Sequence, residues 1–357
     1  MTASLTTSGT PAPFLEVDDL KVHFPTSDGI VKATDGLSFT LARGKTLGIV
    51  GESGSGKSVS SSAILGLHRG TSAKVSGEIR LDGVDLLTLS NEDMRLHRGK
   101  DIAMIFQDPL SAMHPYYSVG AQIAEAYRVH NKVGRKAARS RVVDMLELVG
   151  IPQPDRRYDA YPHQFSGGMR QRAMIAMALI NDPTLVIADE PTTALDVTVQ
   201  AQILDLLGNL QKEFNTGVII ITHDLGVVAE MADDVLVMYG GRAVEYGPCN
   251  EVLTHPEMPY TWGLLSSVPN LTADTNARMV PIPGNPPSLL NPPTGCAFHP
   301  RCGFRDEVPG QLCTTVLPDL EASARPGHLK RCHLANPDRI YEIKVLPEIA
   351  PELAKEA

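Results

Sequence analysis

One octapeptide sets the architecture expected of this chain: Gly51-Glu52-Ser53-Gly54-Ser55-Gly56-Lys57-Ser58. Thr46 to Val50 before it predict a buried strand, and Val59 to Leu67 after it predict a helix. Glycines let such a loop curl until its N–H groups face phosphate oxygens, and the helix N-terminus adds a positive dipole end. A flexible Gly/Ser loop has a similar composition, but the flanking elements favour a nucleotide-binding loop. Strand, glycine-rich loop and helix in this order form the P-loop arrangement, and Gly51 to Ser58 are the P-loop. Lys57 would then reach the β- and γ-phosphates of a nucleotide, and the Ser58 hydroxyl would ligate Mg²⁺.

Composition limits the classes of protein that the chain can belong to. Its 357 residues suffice for two domains or one large one, and 43% of them are hydrophobic. The net charge of −9 gives no bulk electrostatic support for nucleic-acid binding. No apolar run reaches the roughly 18 residues of a membrane-spanning helix. Residues 1–13 lack the apolar segment of a signal peptide and predict a disordered tail. We therefore expect a cytoplasmic chain, unless a partner holds it at a membrane.

An antiparallel β layer is predicted on either side of the loop. Alternating residues from Leu15 to Phe24, from Ala33 to Leu41 and from Gly77 to Gly83 indicate strands. Phe24, upstream of the loop, is a candidate for stacking on adenine. The alternative is a ring that packs inward from its strand.

Three further apolar runs predict buried strands that end in polar residues, and such strands carry functional side chains at their carboxyl ends. Gln107 ends the first and would contact Mg²⁺ or the attacking water. Asp189 and Glu190 end the second, where Asp189 would hold Mg²⁺ and Glu190 would polarise the water. His223 ends the third and would bond the γ-phosphate. A surface turn for the two acids and a structural role for the histidine are the alternatives.

Residues 112–180 are predicted to form a helical subdomain, and near its end lies Phe165-Ser166-Gly167-Gly168-Met169. Ser166, Gly167 and Gly168 open a long helix, so that exposed N–H groups and small side chains offer a second anion site. A glycine helix cap explains the same residues equally well.

The chain becomes proline-rich after residue 256 and predicts an irregular extension that contains Cys296, Cys302, Cys313 and Cys332. In a cytoplasmic protein, clustered cysteines bind metal more often than they form disulfides. The lack of a Cys-x2-Cys pair disfavours an ordinary zinc ribbon. Zinc, a [4Fe–4S] cluster and no metal remain open from the spacing.

Together these motifs resemble the ATP-binding subunit of an ABC transporter over about residues 14–265. The resemblance implies an α/β fold with a RecA-like core, an antiparallel β layer and the helical subdomain, over residues 14–260, followed by the extension at 261–357. It implies a head-to-tail dimer in which ATP lies between one P-loop and the partner's Ser166-Gly167-Gly168. Asp196 belongs to the D-loop in this scheme.

The family's signature corresponds to Phe165-Ser166-Gly167-Gly168-Met169 in this chain. The string Tyr161-Pro162-His163-Gln164 before it, and Phe106-Gln107-Asp108-Pro109, are similar to the D-type ATPase of oligopeptide and dipeptide importers. Met169 departs from the usual Gln, and Ser111 to Pro115 depart from Ser-Leu-Asn-Pro near the expected docking surface for membrane subunits. The resemblance implies a second, related ATPase subunit, two transmembrane permeases and, indirectly, a substrate-binding protein, with the chain peripheral to the cytoplasmic face of the cell membrane and no nucleic acid bound.

The same importers carry this cysteine tail and bind [4Fe–4S] there, so the resemblance implies a structural cluster that affects ATP hydrolysis only indirectly. Two other functions remain: an importer of another cargo such as nickel or glycosides, and a soluble ABC ATPase acting on DNA or ribosomes. The latter usually needs a coiled-coil insertion or two cassettes, and neither is evident in the sequence.

Overall fold

The computed structural model describes residues 13–193, 195–267 and 281–349, so the predicted tail lies outside it except for Pro13. Two sheets form the body of the molecule. The strands are β1 (Leu15–Thr26), β2 (Gly29–Leu41), β3 (Thr46–Val50), β4 (Lys74–Leu81), β5 (Val84–Asp85), β6 (Ile102–Ile105), β7 (Leu185–Asp189), β8 (Gly217–Ile221), β9 (Asp234–Tyr239), β10 (Arg242–Pro248), β11 (Glu321–Ala322) and β12 (Leu329–Lys330).

The smaller sheet is antiparallel, in the order β2-β1-β4-β5. Residues such as Leu15, Val17 and Leu20 of β1 are buried, and polar neighbours point to solvent. This alternation is the one that a sheet with one covered face requires. The predicted antiparallel layer is therefore confirmed.

The larger sheet runs β11-β12-β10-β9-β3-β8-β7-β6. Strands β3, β6, β7, β8 and β9 pair in parallel, and every residue of β3, β7 and β8 is buried. Strands covered on both faces need continuous apolar runs, which is what the sequence has there. Their parallel pairing brings the carboxyl ends of β3, β6, β7 and β8 to one edge of the sheet.

The helices cover this sheet and build the predicted helical subdomain. The helices between Pro109 and Leu179 form this subdomain around buried residues such as Val142, Leu146 and Ile175. The helices up to the start of the extension are α1 (Lys57–Ile64), α2 (Asn91–His97), α3 (Pro109–Ala112), α4 (Val119–His130), α5 (Arg135–Leu148), α6 (Pro154–Tyr158), α7 (Gly167–Leu179), α8 (Val197–Phe214), α9 (Leu225–Met231), α10 (Cys249–Thr254) and α11 (Pro259–Ser266). Within residues 13–193, 195–267 and 281–349, every helix is too short or too polar to cross a bilayer.

The described part of the C-terminal extension is mostly irregular from residue 281 to residue 349, with the short helices α12 (Leu312–Thr315), α13 (Pro337–Ile340) and α14 (Leu346–Ile349) and a π-helical turn at Tyr341–Val345. It nevertheless joins the body of the protein, because β12 pairs with β10 and β11 pairs with β12. Phe298 of the extension packs with the rings of Tyr239 and Tyr260. The extension therefore shares the sheet and the core of the nucleotide-binding domain.

Candidate nucleotide site

The P-loop connects the end of β3 to the first turn of α1. A Cβ at Gly51, where φ is +148°, would lie 2.2 Å from the Met238 carbonyl oxygen, and one at Gly56, where φ is +103°, would lie 2.2 Å from that of Ala33. Both positions need glycine, because the backbone conformation is strained for other residues and a neighbouring strand leaves no space. Within the described part of the chain, no side chain caps the N-terminus of α1. Its first N–H groups are available to an anion.

Lys57 begins α1 and is 7% exposed. Its Nζ donates to the carbonyl oxygens of Gly51 at 2.6 Å and Glu52 at 3.0 Å, so the ammonium lies inside the loop. Burial lowers the pKa of Lys57, an effect that the nearby acids Glu190 and Asp189 oppose. A desolvated ammonium ringed by carbonyl oxygens is poised to exchange them for phosphate oxygens.

Ser58 and Asp189 meet although 131 residues separate them: the Ser58 Oγ donates to Asp189 Oδ1 at 3.1 Å. Asp189 ends β7 and is 8% exposed. Burial raises its pKa, partly countered by the bond from Ser58. A buried carboxylate beside a hydroxyl, both oxygen donors, suits a hard cation such as Mg²⁺. The two residues expected to hold Mg²⁺ through oxygen therefore fit that role together.

Glu190 is the centre of a polar network at the same edge. Its Oε2 accepts from Gln107 Nε2 at 2.8 Å and from Thr193 Oγ1 at 2.9 Å. Its Oε1 lies 3.4 Å from His223 Nδ1, and its backbone has a φ of +47°. Gln107, Glu190 and His223, predicted separately from three strand ends, are thus brought together. Sequence reasoning missed Thr193, although a hydroxyl three residues after the acid pair is a recognisable signal.

The signature and the D-loop occupy neighbouring helix starts. Ser166 Oγ accepts from the Met169 N–H at 3.3 Å and caps α7, and Asp196 Oδ1 accepts from the Val199 N–H at 2.9 Å and caps α8. A Cβ on Gly168 would lie 3.0 Å from Val199, so the two helix starts adjoin. Ser166, Gly167 and Asp196 are exposed. The side-chain hydrogen bonds seen for Ser166 and Asp196 are the caps of their own helices. This surface is open to a second molecule.

Phe24 lies near the end of β1 and is half-buried. Its ring meets the His68 ring edge-on, with centroids 5.4 Å apart and planes at 87°. It also packs against the core between the sheets. Adenine stacking on Phe24 stays a prediction.

The four cysteines of the extension border two hydrophobic clusters: Cys296, Cys302 and Cys332 lie at one, and Cys313 and Cys332 lie at the other. The Cys296 N–H donates to the Cys313 carbonyl at 2.9 Å. Burial raises the pKa of all four thiols, that of Cys302 to about 11 and that of Cys332 to about 12, and the other three sulfurs add to the shift at Cys332. Yet among the described residues no group of three or more His, Cys, Asp or Glu side chains is arranged to hold a metal ion. A formed metal-ligand set is therefore not seen in this part of the chain, and the iron–sulfur site stays a prediction.

Two protein-family models match the chain, one in the nucleotide-binding domain and one at the start of the extension. Residues 34–193 match the family model described as ABC transporter. Residues 244–308 match the model described as the C-terminal region of the oligopeptide/dipeptide transporter. The second match begins in β10 and extends past Cys302, so it covers half of the cysteine set.

Whole relatives align over nearly the entire chain. The oligopeptide transport ATP-binding protein of Salmonella typhimurium is 50% identical over 335 residues, which are 93% of this chain and 98% of the relative. The dipeptide transport ATP-binding protein of Bacillus subtilis is 53% identical over 321 residues, 90% and 94% of the two chains.

Solved structures of ABC transporter proteins are similar to this chain as well. A dimeric bacterial ABC transporter cassette is 25% identical with a TM-score of 0.60, over 66% of this chain and 98% of that one. The cbiO1 protein of Clostridium perfringens, part of an ABC transporter complex, is 31% identical with a TM-score of 0.57, over 67% and 90%. Because the relatives match across both the P-loop body and the extension, the chain belongs to the ABC transporter family, among the ATP-binding proteins of oligopeptide and dipeptide transport.

Proposed function

We propose that this chain is the ATP-hydrolysing subunit that powers import of oligopeptides or dipeptides through an ABC transporter. One observation carries the proposal: the Glu190 carboxylate is held by Gln107, Thr193 and His223 at the sheet edge where Ser58 meets Asp189. A base fixed by several hydrogen bonds next to a phosphate-binding loop is the arrangement that phosphoryl transfer to water requires.

The residues divide the chemistry. The Lys57 ammonium and the N–H groups at the start of α1 would hold the terminal phosphates. Ser58 and Asp189 would hold Mg²⁺, which would neutralise charge on those phosphates. Glu190 accepts a hydrogen bond from the attacking water and so raises the nucleophilicity of the water oxygen. Gln107 and His223 orient the carboxylate, and His223 would also bond the γ-phosphate.

We assign the exposed starts of α7 and α8 to a head-to-tail dimer. Ser166, Gly167, Gly168 and Asp196 would complete the ATP site of a second ATPase subunit, and that subunit's signature would complete this one. ATP then joins the pair and hydrolysis separates it, because the phosphate removed is the one at the interface. Two permeases would convert the motion into transport at the cytoplasmic face of the membrane, with a substrate-binding protein delivering cargo.

Co-expression with a related ATPase and two permeases of a peptide transporter from the same organism tests this proposal. The expected product is a complex with one copy of this chain, one related ATPase and two permeases, whose ATP hydrolysis rises when a peptide-loaded binding protein is added. Two copies of this chain without another ATPase would refute the heterodimer. Stimulation by nickel or a glycoside instead of peptides would reassign the cargo, and co-purifying ribosomal RNA without permeases would refute transport.

We also propose that Cys296, Cys302, Cys313 and Cys332 bind one [4Fe–4S] cluster with a structural role. Support comes from the shared clusters that the cysteines border and from the match of 244–308, which includes Cys296 and Cys302, to the transporter C-terminal region. Closing the long loops between them would remove chain entropy from an extension with little regular structure. Anaerobically purified protein should be brown with about four irons per chain. Colourless protein with one zinc would replace the cluster by zinc, and protein with neither metal would remove the site.

A further inference from the structure

The P-loop is held by a residue of the extension. Arg301 lies next to Cys302, and its side chain is 5% exposed. Its Nη1 donates to Glu52 Oε2 at 2.6 Å and its Nη2 to Glu52 Oε1 at 3.0 Å. Glu52 is the second residue of the P-loop and is 249 positions away in sequence. A two-point guanidinium–carboxylate pair fixes both distance and orientation, which a single contact does not.

Arg301 is itself held rigidly. Its Nε donates to the Pro283 carbonyl at 2.7 Å and its Nη1 to the Tyr239 hydroxyl at 3.3 Å. An arginine guanidinium stays protonated in proteins, so the contact with the Glu52 carboxylate is an ion pair. The backbone of Glu52 is held as well, since its N–H donates to the Tyr260 hydroxyl at 2.8 Å. Glu52 is therefore anchored at both main chain and side chain.

The position of Glu52 reaches the phosphate site through Lys57, whose Nζ bonds the Glu52 carbonyl at 3.0 Å. A free Glu52 carboxylate would also place an anion in a loop that must receive the phosphates of ATP, and like charges at short range repel. Further extension residues lie close: Pro286 and Pro287 line one cavity with residues 52–55 of the P-loop.

We propose that Arg301 is a positioning residue of the nucleotide site, so that the extension sets the affinity of the P-loop for ATP through the Arg301–Glu52 pair. This rests on the proposed ATPase function. It adds to the expectation, drawn from sequence, that the cysteine cluster affects ATP hydrolysis only indirectly.

Arg301→Ala in the full chain tests the proposal, with ATP affinity measured by titration with a fluorescent ATP analogue. We expect the dissociation constant to rise about 10- to 100-fold, because a buried partner charge is lost and the loop geometry relaxes. In the assembled transporter KM for ATP should rise more than kcat falls. Arg301→Lys, which keeps charge but lacks the two-point fork, should be intermediate.

Arg325→Ala is the matched control. Arg325 also joins the extension to the body, at Glu251 with an N–O distance of 3.1 Å, but it does not contact the P-loop. Its loss should leave ATP affinity unchanged. Equal ATP affinities for Arg301→Ala and wild type would overturn the proposal, as would equal losses in the Arg301 and Arg325 variants.

Glu52→Gln keeps the experiment decisive if Arg301→Ala folds poorly. Glu52→Gln and Arg301→Lys disrupt the same ion pair. The double variant should therefore lose little more ATP affinity than the weaker-binding single variant. Additive losses would show that the two residues act independently and would contradict the proposal. Wild-type protein that fails to bind ATP would refute the proposed function itself, which separates that failure from this one.

Discussion

Glu190→Gln is the substitution that tests the assigned chemistry most directly. The amide is nearly isosteric with the carboxylate, and its oxygen can still accept from Gln107 Nε2 or Thr193 Oγ1, which now lie at 2.8 and 2.9 Å. The backbone φ of +47° is unaffected by the change at the end of the side chain. We therefore expect the free energy of unfolding to change little.

Hydrolysis should respond differently from binding. The amide cannot accept a proton from water, and loss of a general base slows a reaction by about 10²- to 10⁴-fold. ATP affinity should stay near that of wild type, because Lys57, Ser58 and Asp189 are unchanged. With hydrolysis blocked, ATP should accumulate at the interface and hold the closed dimer together.

The assay pairs steady-state phosphate release by the assembled transporter with ATP-dependent dimerisation measured by analytical ultracentrifugation. Glu213→Gln, an exposed carboxylate near the end of α8, is the matched charge control and should hydrolyse ATP at the wild-type rate. Wild-type turnover in Glu190→Gln would refute the role of Glu190 as the base. A large loss of ATP affinity would instead show that Glu190 holds the nucleotide.

Further substitutions address binding, the loop and the extension. Lys57→Ala should weaken ATP binding by about tenfold or more, measured by the same fluorescent titration, because the loop loses its buried ammonium; unchanged affinity would contradict the assignment. Gly56→Ala should abolish ATP binding, since its Cβ would lie 2.2 Å from a carbonyl oxygen, and retained binding would show that the loop can shift. His328→Ala leaves the fully buried Glu245 without the imidazole now at 2.9 Å and should lower the unfolding free energy in urea by about 3 kcal/mol. Arg325→Ala, which breaks a half-exposed pair, should cost about 1 kcal/mol or less; equal losses would contradict the importance of burial.

Much of the site was predictable because its residues sit at the ends of apolar runs. Buried parallel strands need continuous hydrophobic sequence, and their carboxyl ends share an edge, so Gln107, Asp189, Glu190 and His223 could be placed together without coordinates. The loop that starts at Gly51 was equally predictable, since its glycines adopt positive φ angles that other residues rarely adopt. Local sequence carries these signals in full.

Other features carry no local signal. The β12 pairing with β10 joins residues more than 80 positions apart and involves a two-residue strand, too short for alternation to be read. The cysteine spacing predicts a gathering, but the order of the thiols around a metal depends on loop paths that spacing does not fix.

By itself, the sequence predicted the nucleotide-binding domain, the polar residues at its strand ends and the cysteine-bearing extension. Each of these follows from the periodicity or composition of a contiguous segment. Only the tertiary structure decided how the extension and the P-loop meet. In sequence, Glu52 is one exposed-looking acid in a loop and Arg301 one basic residue beside a cysteine. Their pairing arises because β9 and the residues around Phe298 pack into one core, which brings the guanidinium to the carboxylate.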